Sequence, residues 1–212
     1  MPELGDTYDP NVFINCPFDR GYPPIFDAIV FAILDCGFRP LCARERMNSA
    51  QIRLEKISEL IRDSRSIHDL SRVETNGPYS LPRFNMPLEL GIALGCAKFG
   101  EGRHRDKSLL VLDRRRYRYH RFVSDLSGQD ISEHRNRPAR AIEAVRNWLR
   151  TESADADIPG PEFITGRYPT FQRELPRLAA LTHLNSTNLS YVDYCFTISE
   201  WVKANARAIP TA

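Results

Sequence analysis

The order of short apolar segments and helical patterns constrains the fold more than any other feature of this sequence. Apolar segments typical of buried strands recur along roughly the first 115 residues, at 11–16, 38–43, 66–70 and 107–113. Helical patterns separate them, at 22–36, 50–62 and 86–97. Strands that alternate with helices indicate a parallel sheet flanked by helices. We therefore predict an α/β fold built on a doubly wound, mostly parallel sheet.

The rest of the chain has a different pattern. It contains three amphipathic or helical segments, at 137–150, 169–184 and 191–207. Between the first two lies an acidic segment with Pro and Gly, which is typical of a linker or an exposed loop. We therefore divide the chain into an α/β domain, residues 1–125, and a helical extension, residues 126–212, which packs on that domain or on a partner.

Composition excludes several classes of protein. A chain of 212 residues with 42% hydrophobic residues is long enough to bury a core without disulfides or a structural metal. The net charge of +2 argues against a strongly basic nucleic-acid binder. The five cysteines are odd in number and contain no CxxC pair, so we expect free thiols and no metal site. Neither a signal peptide nor a membrane span is apparent, so we expect a cytoplasmic protein without a membrane partner.

The predicted sheet defines where a ligand should bind. Ligands of open parallel sheets bind beyond the carboxyl ends of the strands, near the point where strand order reverses. The side chains that this rule collects are Asn15, Cys16, Pro17, Phe18, Asp19, Arg44, Glu45, Arg46, His68, Asp69, Arg83, Phe84, Asn85, Met86 and Glu89. Arginines hold phosphates well, so Arg44, Arg46 and Arg83 are candidates for that role, although each is equally typical of a solvated surface.

Besides the arginines, several of these residues have a purely structural alternative. His68 could be a core histidine with one ring nitrogen satisfied. Glu89, near the start of its predicted helix, could simply complement the helix dipole. Asp69 could cap a turn at the end of its strand, and Asn85 could be the N-cap of the following helix. Glycine-rich motifs that cradle phosphates are absent from the sequence. The residues alone leave the structural and the functional interpretations open.

Five motifs in order carry a family resemblance: FINCPFD, GFRP, IRDSR, IHDLSR and FNMPLELGIALG. Together they resemble the nucleoside 2-deoxyribosyltransferase-like family and the broader TIR-like group, which share a flavodoxin-like fold. The resemblance covers about residues 12–113. Phe18, Asp69 and Glu89 match the family's Pro-Phe motif, its Asp after a later strand and its Glu in an ELG helix start. The stretch RFNMPLE lacks the second Asp with which deoxyribosyltransferases hold a nucleobase.

The resemblance implies an enzyme that cleaves or transfers at the N-glycosidic bond of a nucleotide such as NAD, or of a nucleoside. Glu89 would be the catalytic carboxylate, with Asp69 beside it. A carboxylate at the anomeric carbon acts as a nucleophile or stabilises an oxocarbenium-like transition state. The resemblance implies no cofactor, because NAD would be a substrate. Loss of the second Asp is easier to accommodate with NAD, because cationic nicotinamide leaves without protonation.

Proteins of this resemblance often serve as bacterial antiviral-defence or toxin effectors that act as oligomers, so it also implies a homo-oligomer or a partner protein. The alternative is a non-catalytic TIR-like module that binds a nucleotide signal or mediates assembly.

The segment RRRYRYHR, residues 114–121, is basic and aromatic. Such a pattern can bind single-stranded nucleic acid, because arginines follow the backbone and aromatic rings stack on bases. It could equally place Arg114 near a phosphate in the pocket, or form a solvated face. We regard a nucleic-acid partner as the least favoured of these interpretations.

Overall fold

The computed structural model describes residues 10–19, 21–45, 50–73, 83–153 and 157–206. Its centre is a five-stranded sheet in the order β2-β1-β3-β4-β5, and all four strand pairings are parallel. The strands are β1 (Asn11–Asn15), β2 (Arg39–Leu41), β3 (Arg65–Asp69), β4 (Leu109–Asp113) and β5 (Ile131–Glu133). This order is that of a flavodoxin-like sheet, and strand order reverses between β1 and β3. The predicted doubly wound α/β fold is confirmed.

Six α-helices surround the sheet in the described ranges. They are α1 (Pro23–Asp35), α2 (Arg53–Arg62), α3 (Asn85–Phe99), α4 (Pro138–Glu152), α5 (Pro161–Leu181) and α6 (Tyr191–Ala204). Helices α1 and α4 cover one face of the sheet, and α2 and α3 cover the other. Helices α5 and α6 pack on α1 and α4 from outside. None of these helices is long and apolar enough to cross a lipid bilayer.

Burial on both faces explains the apolar strand sequences. In β1, Val12 and Ile14 pack in the core on the α1 side, whereas Phe13 packs against α2 and α3. Helix α1 is apolar on nearly all sides because the sheet, α4, α5 and α6 all contact it. The three aromatic rings of Phe31, Phe171 and Trp201 join α1 to α5 and α6, with centroid distances of 5.4 to 5.9 Å. The last two helices are therefore fixed to the sheet by a buried aromatic cluster.

The structure extends the sheet past residue 125, where the sequence-based division falls. Both β5 and α4 lie within the segment 126–212 that was assigned to the helical extension, and the helices that follow the sheet are α5 and α6. Strand β5 was not predicted, because its three residues are half-buried and carry no apolar run. The sequence predicts that this helix starts at residue 169, with Pro169 in its first turn. In the structure α5 begins at Pro161, and Pro169 lies inside the helix.

Candidate functional site

The carboxyl ends of β1 and β3 meet at the point where strand order reverses. Asn15 ends β1 beside His68 of β3. The Asn15 side-chain nitrogen donates to His68 Nδ1 at 2.9 Å and to the Met86 carbonyl at 3.0 Å. Burial lowers the pKa of His68 to about 3, so this imidazole is a neutral acceptor. Asn15 therefore joins β1, β3 and the start of α3 inside the protein.

Two further predicted binding residues lie at the start of α3 in contrasting surroundings. Asn85 is the first helical residue and is exposed, and the N-cap position belongs to Phe84. Met86 is buried in a core cluster with Leu70 and Leu90. Only Asn85 of the two presents its side chain to solvent.

Asp69 is the centre of a buried polar network. The Tyr22 hydroxyl donates to Asp69 Oδ2 at 2.6 Å, and the Ser71 backbone N–H donates to Oδ1 at 2.7 Å. His134 Nε2 lies 3.1 Å from Oδ2. Burial raises the pKa of Asp69, but His134, Tyr22 and Ser71 together outweigh burial and hold it below its ordinary value. Asp69 is thus a buried carboxylate with all three partners in place.

Sequence reasoning missed His134, which directly follows β5. Its Nδ1 accepts the Asn136 backbone N–H at 3.0 Å, so the ring hydrogen is on Nε2, the nitrogen that lies 3.1 Å from Asp69 Oδ2. Its burial is complete. No local pattern marks this histidine, because β5 is short and polar and its neighbour Asp69 lies far away in the chain.

Glu89 turns inward at the same edge of the sheet. It lies in the second turn of α3, is only 6% exposed, and is not the exposed first-turn acid of the structural alternative. Burial raises its pKa to about 7, and the Arg53 guanidinium at the start of α2 opposes that shift. A carboxyl with a pKa near neutrality can exchange a proton or act as an anion. Glu89 is therefore the chemically most versatile group at this edge.

Cys16 lies within electrostatic range of both carboxyl groups, those of Asp69 and Glu89. Burial raises the pKa of its thiol well above the ordinary value, and the charge of Asp69 raises it further, with a smaller effect from Glu89. The influence of both carboxyl groups on one side chain places all three at the same edge. The thiol is neutral and serves as packing there.

Arg83 forms an ion pair across the edge. Its Nη1 lies 3.3 Å from Asp19 Oδ2, and Arg72 Nε lies 4.0 Å from Oδ1 of the same carboxylate. The loop after β1 is thus held to the segment that precedes α3. Arg46, the other arginine considered for phosphate binding, lies outside the described residues.

Pro17, Phe18 and Arg44 line a groove of 410 Å³ beside the start of α1. The Arg44 guanidinium lies 4.1 Å from the centroid of the Phe18 ring. The opposite wall comes from the loop between α5 and α6 and from α6 itself, including Tyr191 and Tyr194. We call this cavity the aromatic groove. Its far wall could not be predicted, because it depends on how α6 packs against α1.

The aromatic groove and Glu89 lie on different sides of the edge, with the Asp69 network between them. Tyr22 lines the groove while its hydroxyl donates to Asp69. Glu89 projects from α3, and the groove's described lining does not include it. The predicted site residues thus fall into groove residues, the α3 carboxylate, buried residues that hold the edge together, and the exposed Arg83 and Asn85.

The basic segment 114–121 is divided between the interior and the surface. Arg118 is buried and donates through Nε to Asp113 Oδ1 at 2.8 Å. Arg114, Arg115 and Arg116 line a surface depression together with Arg135. Arg118 is therefore structural, whereas Arg114, Arg115 and Arg116 lie on the surface beside β4 and β5, around the Glu133 carboxylate.

Within the described ranges, no group of three or more His, Cys, Asp or Glu side chains is placed to hold a metal ion. No protein-family model, curated protein or solved structure matches the chain. The functional interpretation therefore depends on the geometry of this edge and on the motifs in the sequence.

Proposed function

We propose that this protein binds a nucleotide such as NAD, or a nucleoside, at the carboxyl edge of its sheet and cleaves the N-glycosidic bond. Glu89 is the catalytic carboxylate. The observation that carries the proposal is the burial of Glu89 beside the strand crossover, which raises its pKa to about 7. Ligands of this sheet type bind at the crossover, and perturbed carboxyl groups are typical of catalytic sites. The resemblance to deoxyribosyltransferase-like and TIR-like proteins indicates which bond is cleaved.

The reaction breaks the bond between the anomeric carbon and the base nitrogen. The bonding electron pair leaves with the base, and positive charge develops on the sugar. Ionised Glu89 stabilises that charge or bonds to the anomeric carbon. Water or another hydroxyl then bonds to this carbon, any bond to Glu89 breaks with its electron pair returning to the carboxylate, and the proton of the attacking group passes to solvent. Cationic nicotinamide accepts the electron pair without a proton. A single carboxylate is therefore sufficient for NAD.

Asp69 acts as a positioning residue in this proposal, not in the catalytic role that the resemblance implies. Its side chain is fully buried, and Tyr22, Ser71 and His134 surround it. It holds Tyr22 in the wall of the aromatic groove. Arg44, exposed beside Phe18, provides the positive charge for a substrate phosphate.

The test is release of free base. The purified full-length chain is incubated with NAD and with a panel of nucleosides, at low and high protein concentration, and free nicotinamide or base is measured by chromatography. We expect release by the wild type and none by Glu89→Gln. The matched control is Glu143→Gln, the same change on the exposed side of α4, which should retain full activity. Absence of release from every substrate at both concentrations would refute the proposal.

The second candidate is a non-catalytic module that binds a nucleotide or assembles into oligomers. Exposed apolar side chains at the starts of α2 and α3 favour it: Ile52, Leu54, Phe84 and Leu88 are 48–65% exposed. Such side chains suit an interface between proteins. In that case nucleotide binding occurs without base release, and Leu88→Glu lowers self-association measured by light scattering.

A further inference from the structure

We propose that the aromatic groove binds a nucleobase that carries an exocyclic amino group, with the Asp27 carboxylate as the acceptor for that amino group. The inference goes beyond the proposed function, because it names a class of base for a groove that lies on the other side of the edge from Glu89. It assigns a role to Asp27 and to α6, which neither the motifs nor the chemistry of Glu89 uses.

The walls of the groove suit a flat ring. Phe18 and Phe26 meet edge to face with a centroid distance of 5.6 Å, and Phe26 lies 5.9 Å from Tyr191. Aromatic side chains that line a cleft stack on bases with little dependence on base identity. A volume of 410 Å³ is within the range of small-molecule sites. The rings therefore provide affinity, and selection among bases needs a polar group.

Asp27 is the acidic group of α1 in this groove. It lies in the second turn of α1 and is half-buried. Burial raises its pKa to about 6, and no charge in the described part of the chain offsets that shift. The Tyr194 hydroxyl donates to the Asp27 backbone carbonyl at 3.5 Å, which leaves the carboxylate to other donors. A partly buried carboxylate without a cationic partner gains most from a ligand that donates hydrogen bonds.

The other acid of the groove is already engaged. Asp19 pairs with Arg83 at 3.3 Å. Arg44 brings a positive charge to the same groove, where it lies over the Phe18 ring. The groove thus combines stacking surfaces, the Asp27 carboxylate as an anionic acceptor, and the Arg44 cation. That combination matches a nucleotide whose base presents an amino group, as adenine, cytosine and guanine do, and not one whose base presents only a carbonyl there.

Two ligand pairs test the inference. Adenosine and inosine monophosphates differ in an amino group against a carbonyl, with an accepting ring nitrogen against a ring N–H beside it, and so do cytidine and uridine monophosphates. Dissociation constants are measured by titration calorimetry with the full-length chain, and again with Glu89→Gln to exclude turnover. We expect the amino-bearing member of each pair to bind about tenfold more tightly, equivalent to about 1.4 kcal/mol.

Two variants separate selection from stacking. Asp27→Leu preserves the approximate size of the side chain and should abolish the tenfold difference within each pair. Phe18→Leu should weaken all four ligands alike and preserve the difference. Unfolding of each variant in urea verifies that it is folded. Equal binding within the pairs by the wild type, absence of binding at millimolar concentration, or a preference that survives Asp27→Leu would overturn the inference.

The binding preference within the ligand pairs can be measured whether or not the protein cleaves a base from its substrate. A preference that requires Asp27, without base release from any substrate, would support the groove and refute the proposed function. Base release that requires Glu89, without any preference within the pairs, would support the proposed function and overturn the groove.

Discussion

Replacing Glu89 by Gln should stabilise the protein at neutral pH, because burial places the Glu89 carboxyl in an environment that disfavours its charge. The pKa of this group is 4.5 for an ordinary Glu and about 7 in the folded protein, where burial raises it. Below pH 4.5 the group is protonated in both states, so it does not lower stability. As pH rises from 4.5 to 7 the unfolded chain ionises first, and the folded state loses stability relative to it.

The size of this loss of stability follows from the pKa shift of Glu89. Each pKa unit corresponds to about 1.4 kcal/mol, so the shift of Glu89 removes about 3 kcal/mol of wild-type stability by pH 7. The Gln variant carries no charge and escapes this loss. Its stability relative to wild type should therefore increase by that amount between pH 4.5 and 7, and remain constant above.

Urea unfolding at half-unit intervals from pH 4.5 to 8.5 measures the free energies of unfolding of both proteins. Glu143→Gln, on the exposed side of α4, provides the control and should follow the wild-type curve closely. A difference between wild type and Glu89→Gln that is independent of pH would refute the reasoning, and so would one that favours the wild type as pH rises.

Three further substitutions test the contacts that hold the fold and the edge, each measured as a free energy of unfolding in urea. Arg118→Met leaves the buried Asp113 carboxylate without its cation and should cost about 3–5 kcal/mol; less than 1 kcal/mol would show that the pair is dispensable. Asn15→Leu removes the donor to two buried acceptors and should cost about 1–3 kcal/mol, and an unchanged stability would contradict this bridge. Asp35→Asn weakens the two contacts with Arg167 that join α1 to α5, of 3.0 and 3.1 Å, and should cost about 2 kcal/mol; a neutral result would mean that the aromatic cluster alone holds α5.

The sheet was largely predictable from the sequence. Strands β1 and β4 are buried on both faces and contain the apolar runs VFI and LLVL, whereas β3 (RSIHD) is buried although only Ile67 in it is apolar. The observed bounds of all three strands lie within two residues of the predicted ones. Strand β5 is an edge strand of three half-buried residues, and no periodicity marks it. The fold class therefore followed from pattern, whereas the far edge of the sheet required tertiary pairing.

The candidate site was predictable only in part. Residues that follow a strand are placed at the sheet edge by the chain itself, so Phe18 and Arg44 could be expected there, and both line the groove. The direction of Glu89 could not be predicted, because it depends on which side of α3 meets the sheet. His134 and Asp27 could not be predicted as site residues, because their positions at the edge depend on contacts with residues distant in the chain.

The pH dependence of base release is the most direct test of Glu89 as the catalytic carboxylate. With NAD or the best nucleoside as substrate, kcat/KM should rise with pH and level off above an apparent pKa near 7, where Glu89 becomes ionised. Glu89→Gln should show no release at any pH, and Glu143→Gln should reproduce the wild-type profile. Release by Glu89→Gln with an unchanged profile would contradict the assignment.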